Sequence, residues 1–304
     1  MNKIIKLLTN IYSIEQQWNI GIINKPIQAF IDEKEYEVEW FPTPDRKHFL
    51  ADPFGAKIKG ESYIFMEEYD YNKRKGKISY IKLSERNKPS KIHTAIEKPY
   101  HMSYPYIFQY EKDFYCTPET HQNNEATLYK IRSPSNWEKK YTIIKGIDVS
   151  DPSIIEYNGK WWLFFTRGYD YTNLYLWYAE DLFGDWKPHK NNPVKTEISS
   201  SRPAGTMFIH EGTLYRPAQD CEESYGANIV INKVLKISPM EFLEDPVLTI
   251  NPKTNAIKGV HTLSSLGEIT LIDGVISIGR DKLWLKNKIS SIIKYLRARM
   301  DFHL

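Results

Sequence analysis

The sequence predicts an all-β protein, a five-bladed β-propeller with about four short antiparallel strands in each blade. The first observation is an internal repeat. A residue-proline pair opens each of four copies at spacings of 52, 47 and 51 residues: Asp52-Pro53, Tyr104-Pro105, Asp151-Pro152 and Arg202-Pro203. A weaker fifth copy opens 59 residues later at His261-Thr262. A repeat period near 50 residues is typical of propellers.

The second observation is that each copy continues as short aromatic and β-branched runs divided by turn residues. In the third copy the runs are residues 153–155, 161–166 and 174–179, and Asn158-Gly159-Lys160 separates the first two. Such runs are typical of antiparallel meanders. A last pair of runs, residues 269–272 and 274–278, is expected to close the ring.

The chain divides into three predicted segments. Residues 1–35 are expected to form an N-terminal helix and lead-in, residues 36–281 the propeller, and residues 282–304 a basic amphipathic helix. The last segment has apolar residues at helical spacing with lysines and arginines between them. Such a helix suits an anionic membrane surface at the inner face, the outer wall of the propeller, or a protein contact.

The composition excludes several functional classes. Of the 304 residues, 41% are hydrophobic and 26% charged, as in soluble globular proteins, and a net charge of +3 is too small to favour nucleic acid. Cys116 and Cys221 lie in different repeats without metal-ligand spacing, so we predict neither a zinc site nor a disulfide scaffold. No cofactor is predicted; a calcium or other ion in the central channel stays an alternative, although no ligand spacing requires one. This cysteine usage and the lack of a signal cleavage site predict a cytoplasmic protein.

The residues before the prolines are the candidate functional site. The first strand of each blade lines the central channel of a propeller, so Asp52, Tyr104, Asp151, Arg202 and His261 are expected to meet in one funnel. Alternatively, the prolines end strand pairing and the preceding residues are solvated turn residues. Two carboxylates in an aromatic funnel are what glycosyl chemistry requires, and Arg202 is a candidate counter-charge or phosphate clamp.

Residues 48–53, His-Phe-Leu-Ala-Asp-Pro, and residues 150–154 with 158–164 resemble the first and third blades of five-bladed propeller furanosidases such as arabinanases, β-xylosidases and invertase relatives. The resemblance implies that Asp52 is the base or nucleophile and that Asp151 orients and tunes the acid. In those enzymes the acid is a glutamate two residues before the blade-four proline, where this chain has Ser201. Serine is a poor acid near neutral pH, so simple hydrolysis is not favoured.

A relocated acid is therefore sought among carboxyls that follow a second strand: Glu68, Glu119, Asp220, Glu222 and Glu223. The predicted catalytic residues are Asp52, Asp151, Glu119 and Asp220. The predicted substrate-binding residues are Arg202, His261, Tyr104, Glu68, His101 and Arg216.

A second resemblance covers nearly the whole chain. The segments 17–21, 102–108, 118–120, 201–205, 215–220 and 259–261 are similar to the N-terminal domain of glucosamine inositolphosphorylceramide transferases and its bacterial relatives. This implies a carbohydrate-active propeller in surface glycan assembly. A phosphate leaving group needs no strong acid, so glycosyl transfer from a sugar or nucleotide-sugar is predicted. The alternatives are a furanosidase-type hydrolase with a relocated acid and a non-catalytic glycan-binding propeller.

Overall fold

The structure, a computed structural model, describes residues 17–42, 45, 47–252 and 256–276. Five antiparallel sheets form five blades, which confirms the predicted all-β propeller. The chain begins with two strands of the last blade, β1 (Gln17–Ile23) and β2 (Glu39–Trp40). Blade one comprises β3 (His48–Ile58), β4 (Glu61–Asp70), β5 (Lys75–Lys82) and β6 (His93–Ile96). Blade two comprises β7 (Ser103–Tyr110), β8 (Asp113–Glu119), β9 (Glu125–Ser133) and β10 (Asn136–Lys145).

The third and fourth blades follow the same order. Blade three comprises β11 (Val149–Tyr157), β12 (Lys160–Arg167) and β13 (Asn173–Ala179), with the short strands β14 (Lys187–Pro188) and β15 (Lys195–Thr196) both pairing with β13. Blade four comprises β16 (Phe208–His210), β17 (Thr213–Asp220), β18 (Asn228–Ile237) and β19 (Phe242–Ile250). Blade five adds β20 (Leu263–Leu266) and β21 (Ile269–Ile276) to β1 and β2. Short 3-10 helices occupy Ile27–Phe30, Leu83–Glu85, Pro89–Lys91 and His121–Asn123.

Blade five joins the two ends of the propeller. Strand β1 pairs antiparallel with β21 along its whole length, and the sheet order is β2-β1-β21-β20. The propeller therefore includes β1, which corrects the boundary predicted at residue 36. The physical reason is ring closure, because β1 satisfies backbone groups of β21 that would otherwise form an open sheet edge.

Of the predicted N-terminal helix and lead-in over residues 1–35, residues 1–16 lie outside the described residues, and residues 17–35 contain β1 and the 3-10 helix Ile27–Phe30. The predicted basic amphipathic helix, residues 282–304, also lies outside the described residues. Within the described ranges, none of the helices has the length and apolar composition that crossing a bilayer requires.

The residue-proline pairs of the first three blades share an unusual backbone. The register between the first and second strands shifts at each pair, between Ala51 and Phe54 in blade one and at the matching places in blades two and three. The residue before proline is left-handed in each case, with φ of 52° at Asp52, 42° at Tyr104 and 49° at Asp151. Non-glycine residues rarely adopt this conformation, so surrounding contacts must hold these bulges in place.

The blades pack through aromatic side chains at their interfaces. Phe54 of blade one meets the ring of Tyr104 edge-on at 5.1 Å between centroids. Tyr104 is completely buried, and its hydroxyl accepts a hydrogen bond from Gly205 N–H at 2.6 Å and contacts Ser153 Oγ at 2.8 Å. One side chain of blade two thus ties together blade three and the segment leading into blade four.

Gly205 provides a test of this packing. Its φ is +117°, and an added Cβ would lie 1.9 Å from the carbonyl oxygen of Leu263. We predict that Gly205→Ala lowers the free energy of unfolding by about 3 kcal/mol or more, because backbone strain adds to a backbone clash. Urea denaturation measures the change.

The matched control is Gly212→Ala, where φ is +75° but no atom lies within 4 Å of an added Cβ. It is expected to cost about 1 kcal/mol, the strain alone. Equal losses in the two variants would contradict the predicted clash at the seam between blades four and five.

Candidate functional site

Five buried carboxyls meet at the axis of the propeller, and we call them the axial acid cluster. Each is less than one-tenth exposed, and the charges of the others perturb Glu67: Asp52, Glu67, Glu119, Asp151 and Asp273. Within the described residues, one guanidinium, that of Arg202, forms ion pairs with members of the cluster. Because a buried carboxylate needs a compensating charge or hydrogen bonds, the cluster must be held by partners or by protons.

Three of these carboxylates cap the backbone of the next blade. Asp273 Oδ2 accepts Asp52 N–H at 2.9 Å, Asp52 Oδ2 accepts Tyr104 N–H at 3.1 Å, and Glu119 Oε2 accepts Asp151 N–H at 3.0 Å. The three donors are the left-handed residues of the bulges, whose N–H groups are lost to the sheet ladder. The carboxylates therefore satisfy buried donors that would otherwise be unpaired.

His261 joins two of the acids, as the sequence predicts for its slot. Its Nδ1 lies 2.7 Å from Asp273 Oδ2 and its Nε2 lies 3.7 Å from Asp52 Oδ1. The ring of Trp18 stacks on the imidazole with 3.9 Å between centroids. Burial alone would lower the pKa of His261, but the charges of Asp273 and Asp52 raise it above the ordinary value. The imidazolium form is therefore favoured at the axis.

Asp52, His261 and Asp273 are also the residues that could hold a metal ion, since each offers one ligand atom within 4.8 Å of the others. Their oxygens already have protein donors. Asp273 Oδ1 accepts the N–H groups of His261 and Thr262 at 3.0 and 2.9 Å, and Thr262 Oγ1 donates to Asp52 Oδ1 at 2.7 Å. The His261 imidazolium and these hydrogen-bond donors stabilise the two buried carboxylates, as a cation would in a metal site.

The second half of the cluster is organised by Arg202. Its Nε donates to Asp151 Oδ2, and its terminal nitrogen lies 3.6 Å from Glu119 Oε2. The guanidinium lies over the rings of Tyr171 and Tyr225, 5.1 and 5.5 Å from their centroids. Arg202 is thus the counter-charge of the cluster and is engaged on both carboxylates, which leaves the phosphate-clamp role without support in its contacts.

Glu119 and Asp151 share this single guanidinium, so the pair titrates together. Burial would raise the pKa of Glu119, but its 2.7 Å contact with His121 and the charge of Arg202 lower that pKa to about 2. Burial raises the pKa of Asp151 well above its ordinary value, against the attraction of Arg202. The pKa of Glu119 is therefore lowered and that of Asp151 raised, although both carboxyls contact the same guanidinium.

Glu67 belongs to the cluster although the sequence reasoning chose its neighbour. Glu67 is buried, and its pKa lies well above the ordinary value because of burial and of the charges of Asp52 and Glu119. Glu68 points to the other side of β4, where it accepts Ser79 Oγ at 2.6 Å and pairs with Lys77 at 3.2 Å. The alternation of a strand separates the two glutamates, and only the bulge register shows which one faces the axis.

Other predicted residues lie away from the cluster. Arg216 is completely buried, pairs with both oxygens of Glu244 at 2.9 and 2.5 Å, and donates to the carbonyls of Ser200 and Ser201. It therefore fixes the segment that carries Arg202. Asp220 accepts Glu222 N–H and Asn228 Nδ2 in a turn. Glu222 and Glu223 are exposed. Tyr104 is an interblade contact, with its hydroxyl directed at Ser153 and Gly205.

Aromatic rings surround the mouth above the acids, and we call them the aromatic rim. Neighbouring rings touch at centroid distances of 4.8 to 6.2 Å. All five blades contribute members of the rim: Phe49, Tyr69, His101, His121, Tyr169, Tyr171, Tyr225 and Trp18. Apart from His101, the sequence reasoning missed these residues, whose only signal is an aromatic residue at or just after a strand end. Aromatic rings next to buried carboxyls suit the apolar faces of a sugar.

A pH series tests the assignment at His261. Its pKa is raised in the folded protein, so its stabilising contribution is complete below the unfolded pKa of about 6.5 and is lost as pH rises through the folded value. We predict that the free energy of unfolding falls more steeply above about pH 6.5 in the parent protein than in His261→Gln. Urea unfolding at several pH values measures both slopes.

Asp273→Asn removes the main partner of His261 and should flatten the same slope. If both variants keep the slope of unfolding free energy against pH that the parent shows, the raised pKa of His261 is not its cause and the assignment is wrong.

The chain matches the family described as glucosamine inositolphosphorylceramide transferase 1, N-terminal, over residues 41–264. Glucosamine inositolphosphorylceramide transferase 1 of Oryza sativa subsp. japonica is 33% identical over 210 residues, which are 66% of this chain and 28% of the relative. The protein of the same name from Arabidopsis thaliana is 31% identical over 210 residues, 65% of this chain and 27% of the relative. The match thus spans little more than a quarter of these relatives.

Solved structures share the fold. A thermostable family-43 glycoside hydrolase has a TM-score of 0.51 and 14% identity over 72% of this chain and 84% of its own. A family-43 glycoside hydrolase protein of Bacillus licheniformis has a TM-score of 0.51 and 16% identity over 74% of this chain and 51% of its own. At these identities the likeness supports the propeller fold. The family match confirms the resemblance read from the sequence: this chain belongs to the family of glucosamine inositolphosphorylceramide transferase 1 N-terminal regions.

Proposed function

We propose that this propeller is a carbohydrate-active enzyme that transfers a glycosyl group in the assembly of a surface polysaccharide or glycolipid. The observation that carries the proposal is the axial acid cluster lying beneath the aromatic rim. An oxocarbenium-like transition state needs a negative neighbour and a proton donor or acceptor in a desolvated site. The family, named for a transferase, favours transfer over hydrolysis.

Asp52 is the proposed base or nucleophile. Each of its oxygens accepts one hydrogen bond, from Thr262 Oγ1 and Tyr104 N–H, which leaves further lone pairs free. Burial raises its pKa against the attraction of His261, and a base with a raised pKa accepts a proton more readily. Asp151, held by Arg202 and by Gln219 at 3.1 Å, is the proposed tuning residue.

The charge of the site bears on the donor. The carboxylates at the axis outnumber the two cations, Arg202 and His261, and both cations are already paired, so a diphosphate would meet net repulsion there. We therefore propose that the glycosyl unit occupies the funnel and that any phosphate of a nucleotide-sugar stays outside the rim.

The proposed setting is the cytoplasm, with lipid-linked acceptors at the inner face of the membrane. Two observations support this setting: both cysteines are free thiols, and residues 282–304 have a basic composition that suits an anionic surface.

A non-catalytic glycan-binding propeller is the second candidate, and one observation favours it. Asp52, Glu119 and Asp273 each cap a backbone N–H of a bulge, which is a sufficient structural reason for a buried acid. The two candidates differ in what the loss of one carboxylate does to turnover.

The variant Asp52→Asn distinguishes the enzyme from the binding module. Its amide oxygen can still accept the hydrogen bond from Tyr104 N–H, but the side chain can no longer act as a base. We predict that turnover of nucleotide-sugars or oligosaccharides falls about a thousandfold or more, while ligand-observed NMR shows glycan binding within a few-fold of the parent. Retained melting temperature controls for folding. If the parent protein binds glycans but turns none over, it is a glycan-binding module. If it releases reducing sugar without transfer, it is a hydrolase.

The aromatic rim makes a separate prediction at Tyr169, whose side chain is 77% exposed. An exposed ring contributes little to folding, so Tyr169→Ala should leave the melting temperature unchanged while weakening glycan binding about tenfold. Titration followed by NMR measures the affinity. Met240→Ala, which truncates a side chain 50% exposed outside the rim, is the control. An unchanged affinity in Tyr169→Ala would remove this ring from the binding surface.

A further inference from the structure

We propose that Glu67 is the general acid of this site and that His101 is its positioning residue. The inference rests on the proposed glycosyl transfer. It fills the role that the furanosidase pattern assigns to a residue before the blade-four proline, where this chain has Ser201. The new acid comes instead from the second strand of blade one.

The register places Glu67 beside Asp52. In the ladder between β3 and β4, Glu67 is opposite Ala51, and the bulge that follows projects Asp52 toward the axis. Among the charges that raise the pKa of Glu67, that of Asp52 has the largest effect. The pairing gives a carboxyl next to the proposed base, supplied by a neighbouring strand of the same blade.

Glu67 differs from the other acids of the cluster because no cation and few hydrogen bonds would compensate a negative charge on it. It is 6% exposed, and its Oε1 has no hydrogen-bond partner among the described residues. Asp52 and Asp273 take several donors each, and Glu119 and Asp151 share Arg202. A buried carboxylate with no cation and no full hydrogen-bond set is strongly disfavoured, so Glu67 holds its proton. The raised pKa of Glu67 agrees with this geometry.

His101 faces Glu67 as a neutral donor. Gly76 N–H donates to His101 Nδ1 at 2.9 Å, so the neutral ring carries its hydrogen on Nε2. That nitrogen lies 3.6 Å from Glu67 Oε1, beyond a normal hydrogen bond. Burial lowers the pKa of His101, which keeps the ring neutral and Glu67 without a compensating charge. His101 can therefore orient the carboxyl without ionising it.

Gly76 supplies the space that this pair needs. A Cβ at position 76 would lie 2.4 Å from Glu67 Oε1 and 2.6 Å from the carbonyl oxygen of Met102. A side chain here would push Glu67 from its position. The glycine thus makes room for the carboxyl and donates the hydrogen bond that sets the tautomer of His101.

The reaction step is a proton transfer coupled to bond exchange. The bond from the anomeric carbon to the leaving oxygen breaks, and its electron pair goes to that oxygen, which takes the proton of Glu67. The acceptor oxygen bonds to the anomeric carbon, and its own proton passes to Asp52. Glu67 is left ionised and Asp52 protonated, and exchange of one proton through solvent restores both.

The titration of Glu67 depends on every blade that surrounds it. The charged and titratable groups that perturb or face it are Asp52, Asp273, Glu119 and Asp151, with His101, Tyr69 and Tyr71 also interacting with it. A pH profile alone therefore reports the whole cluster. The decisive test is one that isolates proton donation to the leaving group.

Leaving-group dependence isolates that step. A panel of methyl, 4-nitrophenyl and 2,4-dinitrophenyl glycosides is assayed for transfer to a sugar acceptor or water. We expect Glu67→Gln to lower kcat/KM about a hundredfold or more for methyl glycosides, which need the acid, and less than about tenfold for 2,4-dinitrophenyl glycosides. Glu61→Gln, the same change at the exposed start of β4, is expected to match the parent. Equal losses across the panel would overturn the acid role.

Infrared spectroscopy with ¹³C-labelled glutamate gives a readout that does not require turnover. We expect the parent and Glu61→Gln to show a protonated glutamate carboxyl at neutral pH that Glu67→Gln lacks. Absence of this band from the parent overturns the proposal even if glycosides turn over. If the band is present but the protein turns over no glycoside, the proposed glycosyl transfer is wrong while the protonation of Glu67 is confirmed.

His101→Leu, which removes the N–H that faces the Glu67 carboxyl, tests the positioning role. We expect kcat to fall with KM unchanged and the alkaline limb of the pH profile to move to higher pH. The reason is that a neutral N–H facing the carboxyl stabilises its ionised form. A profile that does not move would overturn the role of His101.

Discussion

The structure depends on one repeated constraint, the left-handed residue before proline in the first strand of a blade. At Asp52, Tyr104 and Asp151 this bulge withdraws an N–H from the sheet, and at the two aspartates it brings a carboxyl to the axis. A carboxylate from the adjoining blade accepts that N–H in each case. Each bulge therefore places a carboxylate beside it, and the same bulges that shape the blades also collect the acids at the axis.

That arrangement sets the charge of the funnel. Capping three bulges brings three carboxylates to the axis, and Glu67 and Asp151 add two more. His261 and Arg202 compensate part of this charge from opposite halves of the cluster. The remaining excess is relieved by protons, because burial raises the pKa values of Glu67 and Asp151. A set of carboxyls built to hold a fold has in this way both ionised and protonated members, which acid-base chemistry requires.

The sequence predicts the fold and three of the five axial acids because both follow from the repeat. Asp52, Asp151, Arg202 and His261 occupy one slot of the period, and Glu119 closes a second strand. The other two acids, Glu67 and Asp273, are not marked by the sequence in this way. Glu67 differs from Glu68 only by strand alternation, which the bulge resets, and Asp273 lies inside an apolar run of β21. The sequence of β1 does not predict its place in the propeller, because nothing in it shows that β1 pairs with the distant strand β21.

The central claim is that the axial acids act on a bound sugar and do not only hold the blades together. The most direct measurement is a crystal structure of Asp52→Asn with the saccharide that binds best in an NMR screen. The account predicts a terminal sugar ring inside the aromatic rim, with the Glu67 carboxyl within hydrogen-bond distance of the glycosidic oxygen and residue 52 at the anomeric carbon. A saccharide bound on another surface, with the acids still engaged only with each other and with the backbone, would contradict it.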